Sequence, residues 1–163
     1  MRPHSLSRIR VSTAALAAFA CAAGLCVAAE NAIVELPVRG SFDDVKQMLT
    51  LAIENRGLVV DHESKVGNML ERTGKDLGAT RQIYVRAEVL EFCSATYSRH
   101  AMEADPRLLA FCPYGIGIYQ LPGEQDRVHL VYRRPALEGD SAGARALREV
   151  DRLLEGIVQE AAQ

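Results

Sequence analysis

The sequence contains no tryptophan, and aromatic residues make up only 6% of its 163 positions. It also lacks the short motifs of several common active sites: a Gly-x-Ser-x-Gly turn, a phosphate-binding glycine loop and a zinc-protease helix. Its four cysteines include no Cys-x-x-Cys pair, and so there is no zinc-ligand spacing and no haem attachment motif. We therefore expect no metal and no cofactor.

Acidic residues are absent from the first 29 positions. Three arginines there precede an uncharged, alanine-rich run of nineteen residues, and Val27-Ala28-Ala29 places small residues where a signal peptidase reads. We expect a signal peptide over residues 1–29, cleaved between Ala29 and Glu30, and a bacterial protein that is periplasmic or secreted. The alternative is an uncleaved anchor, because nineteen residues could just span a bilayer; so many alanines, however, make a weak membrane span.

Acidic residues outnumber basic ones in the remainder of the chain. Cleavage removes three of the 19 arginines and lysines, which leaves 16 against 21 acidic residues and a net charge of −5 on residues 30–163. A nucleic-acid partner would call for a basic stripe, so we expect no nucleic acid and, after cleavage, no membrane partner. The 134 remaining residues are enough for one ordinary domain with its own core.

Hydrophobic periodicity predicts an alternation of strands and helices over residues 30–163. We expect strands over residues 31–38, 58–65, 82–92, 114–121 and 127–133. We expect helices over residues 41–56, from about 66 to 78, 94–105 and about 141–160. The last one is amphipathic, and Ser141 is the candidate for its N-cap. The order β-α-β-α-β-α-β-β-α favours a two-layer α+β sandwich, with the helices packed on one mixed or antiparallel sheet.

The first of these helices has the clearest pattern. Ser41 can cap it, with Asp44 reaching back as a capping box. Its apolar stripe is expected to be core and consists of Phe42, Val45, Met48, Leu49, Ala52 and Ile53.

Cys93 and Cys112 are the only cysteines outside the expected signal peptide. Cys93 ends a predicted strand and opens a helix, where free amides and the helix dipole would stabilise its thiolate. If the strands that flank the helix are neighbours, both sulfurs lie near one end of the sheet. The pair could form a disulfide, stay as free thiols, act as a redox or sulfur-handling pair, or bind a metal with His100 or His129.

Several side chains near the two cysteines are candidates for a site. Thr96, Tyr97 and His100 lie three, four and seven residues after Cys93 and would share its helix face. His100 is the candidate catalytic base, but the interpretation that we favour is that it merely borders the apolar stripe of the helix. Tyr114, Gly115 and Gly117 are the further ligand-pocket candidates, because glycines in a strand let a ligand or another element approach closely.

The residues around the cysteines resemble the core of a bacterial family called domain of unknown function 302. The resemblance rests on Phe92-Cys93-Ser94, Tyr97, the segment 101–106 and the segment 108–113, and it extends over about residues 42–134. Both cysteines match cysteine positions of that family. Ser94-Ala95 replaces the family's Asn-Pro, and Phe111-Cys112-Pro113 inverts its usual Pro-Cys order. The resemblance implies a small α+β domain that often forms homodimers, and it implies no established activity.

Two classes of function are compatible with the sequence. The first is a non-catalytic exported module that binds an unknown small ligand or protein partner and is held together by a Cys93–Cys112 disulfide. The second is a thiol-dependent redox or sulfur-handling protein with Cys93 as the reacting thiol and Cys112 as the resolving one. We favour the first, because no general base, oxyanion device or metal cluster is evident.

Overall fold

A computed structural model describes residues 32–163, which form one compact unit. The signal peptide expected over residues 1–29 lies outside these residues. The strands are β1 (Ile33–Arg39), β2 (Val60–Ser64), β3 (Arg86–Phe92), β4 (Tyr114–Gln120) and β5 (Arg127–Arg133). The helices are α1 (Phe42–Glu54), α2 (Val66–Gly74), α3 (Ala95–Ala104) and α4 (Ala142–Ala161), with a 3-10 helix at Pro106–Phe111.

The five strands form a single sheet in the order β1-β5-β4-β3-β2, and every neighbouring pair is antiparallel. Helices α1 and α4 pack beside each other, and their buried stripes share one core with the inward side chains of the central strands, such as Leu90, Ile116 and Leu130. The predicted α+β class and the predicted element order are confirmed. None of the helices within residues 32–163 is long and apolar enough to cross a membrane.

Both long helices start at the serines that sequence analysis identified. The Ser41 hydroxyl accepts a hydrogen bond from the Asp44 amide (3.1 Å), and the Ser141 hydroxyl accepts one from the Ala144 amide (3.1 Å). The capping box is incomplete, because the Asp44 carboxylate accepts from the Ser41 hydroxyl (2.6 Å) rather than from its backbone. Five of the six stripe residues of α1 are buried, but Met48 is 42% exposed and lies outside the core.

The structure differs from prediction on either side of β3. Helix α2 ends at Gly74 instead of continuing to Gly78, and none of its residues is buried. Leu77, which lies within the predicted range of this helix, is 81% exposed. The 3-10 helix before β4 was not predicted; Asp105 begins it by accepting a hydrogen bond from the Arg107 amide (2.9 Å).

Two glycines of α2 provide a matched pair for testing how closely this helix approaches β3. A Cβ at Gly67 would lie 2.8 Å from the backbone nitrogen of Ala87, whereas a Cβ at Gly74 would meet only the Ala79 side chain at 3.6 Å. We expect Gly67→Ala to lower the free energy of unfolding by about 1–3 kcal/mol through overpacking. Gly74→Ala should raise it by about 0.5–1 kcal/mol through helix propensity. Urea denaturation followed by far-UV circular dichroism measures both, and a Gly67→Ala variant as stable as wild type would contradict the packing.

Candidate functional site

The two cysteines lie at the same end of the sheet. Strands β3 and β4 are antiparallel neighbours, and Phe92 at the end of β3 faces Tyr114 at the start of β4. Cys93 follows the first of these residues and Cys112 lies two positions before the second, so the strand pairing brings the two thiols near each other. The predicted proximity is therefore confirmed. Both residues are thiols in the structure, Cys93 exposed and Cys112 half-buried, and the disulfide stays a prediction.

The expected stabilisation of the Cys93 thiolate is wrong. Partial burial raises the pKa of the Cys93 thiol, and the nearby groups of Cys112 and Asp61 raise it further. Asp61, on β2, accepts a hydrogen bond from the Cys93 amide (3.1 Å), and this places a carboxylate beside the start of α3. Little of the Cys93 thiol is ionised at neutral pH, and only the thiolate is a good nucleophile.

Hydroxyl groups surround the Cys112 sulfur. Ser98 Oγ, on α3, lies 3.3 Å from Cys112 Sγ, and it also donates a hydrogen bond to Tyr114 Oη (3.3 Å). Burial, joined by the nearby cysteines, raises the pKa of Tyr114 to about 12 although the Ser98 hydrogen bond lowers it. Sequence analysis missed Ser98 in this cluster, although it lies one helical turn after Ser94 and next to Tyr97. It missed Asp61 as well.

The structure does not place His100 at the thiols. Its side chain is 58% exposed, and its Nδ1 lies 3.0 Å from Glu149 Oε2 on α4. The expectation that His100 shares the face of Cys93 and acts as its base is therefore not supported by the geometry. Within residues 32–163, no three or more His, Cys, Asp or Glu side chains are grouped so that they could hold a metal ion.

A groove of 720 Å³ lies between the loop after α1, the first turn of α3 and the middle of α4. Two of the ligand-pocket candidates, Thr96 and Tyr97, line it, and so does Ser94, the residue that follows Cys93. Arg152 on α4 also lines the groove, is exposed, and makes no ion pair with the residues that the structure describes. The groove therefore combines first-turn helix amides, which lack partners within the helix, with a guanidinium group and an aromatic ring.

The other three candidates lie elsewhere. Tyr114 and Gly115 line a second, smaller cavity of 440 Å³ together with Cys112. Gly117 lies outside both cavities: a Cβ there would be 2.9 Å from Cγ1 of Val131 on the neighbouring strand. Gly117 therefore allows a neighbouring strand, and not a ligand, to approach closely.

The family model for the domain of unknown function DUF302 matches residues 34–161 of this chain. The chain belongs to the DUF302 family. This DUF302 match extends beyond the range of about 42–134 that the sequence resemblance covered, and it includes β1 and α4.

A solved structure agrees with this DUF302 assignment at the level of the fold. It is the crystal structure of an uncharacterized conserved DUF302 protein from Bacillus stearothermophilus, with a TM-score of 0.67 and 14% sequence identity. The match covers 81% of this chain and 98% of that one. No curated protein matches the chain.

Proposed function

We propose that this DUF302 protein is an exported, non-catalytic module that binds a small ligand or a partner protein in the groove between α1, α3 and α4. The groove itself is the observation that carries the proposal. Its volume of 720 Å³ lies in the range of small-molecule sites, about 300–1,000 Å³. Its lining includes polar and charged residues of the kind that such sites use for orientation, among them Arg152 and the first-turn residue Thr96.

A disulfide between Cys93 and Cys112 belongs to the same proposal. The pairing of β3 with β4 brings the two thiols near each other, and disulfides form and persist in the oxidising compartments that an exported chain reaches. The bond would fix the residue that precedes Ser94, the N-cap of α3. It would therefore hold the groove's first-turn amides in place.

A thiol-dependent redox protein is the second candidate, and the exposure of Cys93 favours it. Two observations weigh against it. The pKa of the Cys93 thiol is raised, and His100 contacts Glu149 instead of a thiol. The reduction potential of the pair separates the candidates. A value below about −300 mV is typical of a structural disulfide, whereas a value near about −200 mV is typical of redox proteins.

Filling the groove tests the binding proposal. Thr96→Trp places a large ring in the groove, and Gln159→Trp adds the same ring at an exposed position of α4 outside it. Each protein is screened for a rise in melting temperature with a panel of small carboxylates, phosphates, amino acids and nucleosides. A compound at about 100 times its Kd stabilises the folded state by about 2.7 kcal/mol. We expect such a compound to stabilise wild type and Gln159→Trp but not Thr96→Trp.

The result that opposes the proposal is equally clear. If a compound stabilises Thr96→Trp as much as wild type, it binds elsewhere and the groove is not the site. If no compound in the panel acts, native mass spectrometry of protein purified from an exporting host decides. An adduct of small mass on wild type that is absent from Thr96→Trp supports the groove, and its absence from both contradicts it.

A further inference from the structure

A second polar cluster, which neither the sequence nor the groove explains, surrounds His129 on the sheet face opposite α1 and α4. His129 is only 9% exposed, although it alternates along β5 with the core residues Val128, Leu130 and Tyr132 and lies on the opposite face. Its ring stacks flat on Tyr119 of β4, with centroids 4.7 Å apart and planes 4° apart. The stacking fixes the plane of the imidazole, and with it the directions in which the two ring nitrogens point.

Each ring nitrogen faces a different carboxylate. Nε2 lies 2.7 Å from Glu124 Oε2, in the loop between β4 and β5, and Nδ1 lies 2.7 Å from Glu35 Oε1, on β1. The Nε2 contact has the geometry of a hydrogen bond, whereas the Nδ1 contact is short but does not. Through His129, the loop is connected to the edge strand β1 on the far side of β5.

Three other titratable side chains lie around the ring, and none of them stands between His129 and either carboxylate. Tyr119 donates its hydroxyl proton to the same Glu35 oxygen (2.6 Å), and Tyr84 packs against Tyr119 with centroids 5.4 Å apart. Arg127 on β5 reaches Glu124 Oε1 at 3.4 Å. The hydrogen bond from His129 is the main cause of the lowered pKa of Glu124.

A neutral imidazole cannot donate a proton to both carboxylates. It carries one N–H donor and one lone pair, whereas the charged ring carries two donors. With one proton lost, one nitrogen of the buried ring would present its lone pair to a carboxylate oxygen at 2.7 Å. That contact would be repulsive. Both contacts are favourable only when the ring holds two protons.

We propose that His129, Glu35 and Glu124 form a proton-operated clamp that holds the β4–β5 loop to strand β1. The clamp is closed when the imidazole carries both protons, and it opens when one proton leaves. Histidine is the side chain whose charge ordinarily changes between about pH 5 and 8. The loop is then held by the hydrogen bonds that Gln120 donates to the carbonyls of Glu124 and Gln125 and by the one from the Gly40 amide to the Asp126 carbonyl.

Nuclear magnetic resonance of the full folded domain tests the clamp. Long-range ¹⁵N spectra count the protons on the His129 ring between about pH 5 and 8. Hydrogen exchange of the Gly40 and Glu124 amides, which are bonded to Asp126 and Leu121, reports on the loop after correction for the intrinsic pH dependence of exchange. We expect exchange of both amides to become about tenfold faster as the ring loses a proton, because a charge-assisted hydrogen bond is lost.

His129→Gln should remove this acceleration, and the matched control His62→Gln, at an exposed histidine of β2, should keep it. Glu124→Gln provides a second test that leaves the buried ring in place, and it should reduce the acceleration as well. The proposal is overturned if the ring keeps the same number of protons throughout, or if wild-type exchange shows no acceleration. It is also overturned if the acceleration persists in both His129→Gln and Glu124→Gln.

Discussion

Cys93→Ser is expected to lower the free energy of unfolding of protein that carries the proposed disulfide by about 3 kcal/mol under non-reducing conditions, which is the chain-entropy value for closing a loop of this length. The expectation follows from the proximity of the two thiols at the paired ends of β3 and β4. Cys112→Ser should cost a similar amount, because either change opens the same loop. Since the chain has no tryptophan, urea denaturation is best followed by far-UV circular dichroism.

The same experiment in reductant is its control. Wild type should fall to about the stability of Cys93→Ser, because Cys93 is exposed and contributes little to packing. Cys112→Ser could cost more even in reductant, since its half-buried sulfur contacts Ser98. Equal stability of wild type with and without reductant would show that the pair contributes no covalent link.

Lys46→Met is expected to cost about 2 kcal/mol, because it removes one partner of a largely buried carboxylate. Lys46 on α1 contacts Glu88 of β3 at 2.6 Å and Glu63 of β2 at 2.8 Å, and the Glu88 side chain is only 10% exposed. Arg86 remains as a weaker partner of Glu88 at 3.3 Å. Lys75→Met, at a lysine that makes no ion pair within residues 32–163, is the matched control and should cost little.

The pH dependence of stability gives this pair a second readout. Burial pushes the pKa of Glu88 upward, but the hydrogen bonds and charges of Lys46 and Arg86 outweigh burial and hold it below the ordinary 4.5. A lowered pKa in the folded state stabilises the protein above pH 4.5, and this contribution is lost as the pH falls through the folded value. Lys46→Met should therefore lose less stability on acidification than wild type. An equally steep acid loss would contradict the role of Lys46.

The parts of the fold that sequence analysis predicted depend on local patterns. Ser41 and Ser141 cap helices because a hydroxyl can reach an amide three residues ahead. The alternation of Val128, Leu130 and Tyr132 with charged neighbours gave β5 its bounds, Arg127–Arg133, as the structure has them. The proximity of Cys93 and Cys112 followed from the assumption that neighbouring segments form neighbouring strands.

The parts that could not be predicted depend on contacts between distant residues. His100 lies near the cysteines in sequence, but its partner Glu149 is 49 positions away on α4. Asp61, which bonds the Cys93 amide, comes from 32 positions earlier. His129 alternates with buried residues as a solvated side chain would, and only the folded hairpin and β1 place Glu124 and Glu35 around it.

The state of the cysteine pair in the exported protein tests the central claim most directly. The full chain is expressed in a bacterium, recovered from the periplasm and denatured in an alkylating reagent with and without prior reduction, and its intact mass is measured. The account expects the mass of residues 30–163 with no alkyl group before reduction and two after it, since two of the four cysteines lie within residues 1–29. Two alkyl groups on the unreduced protein would contradict the disulfide.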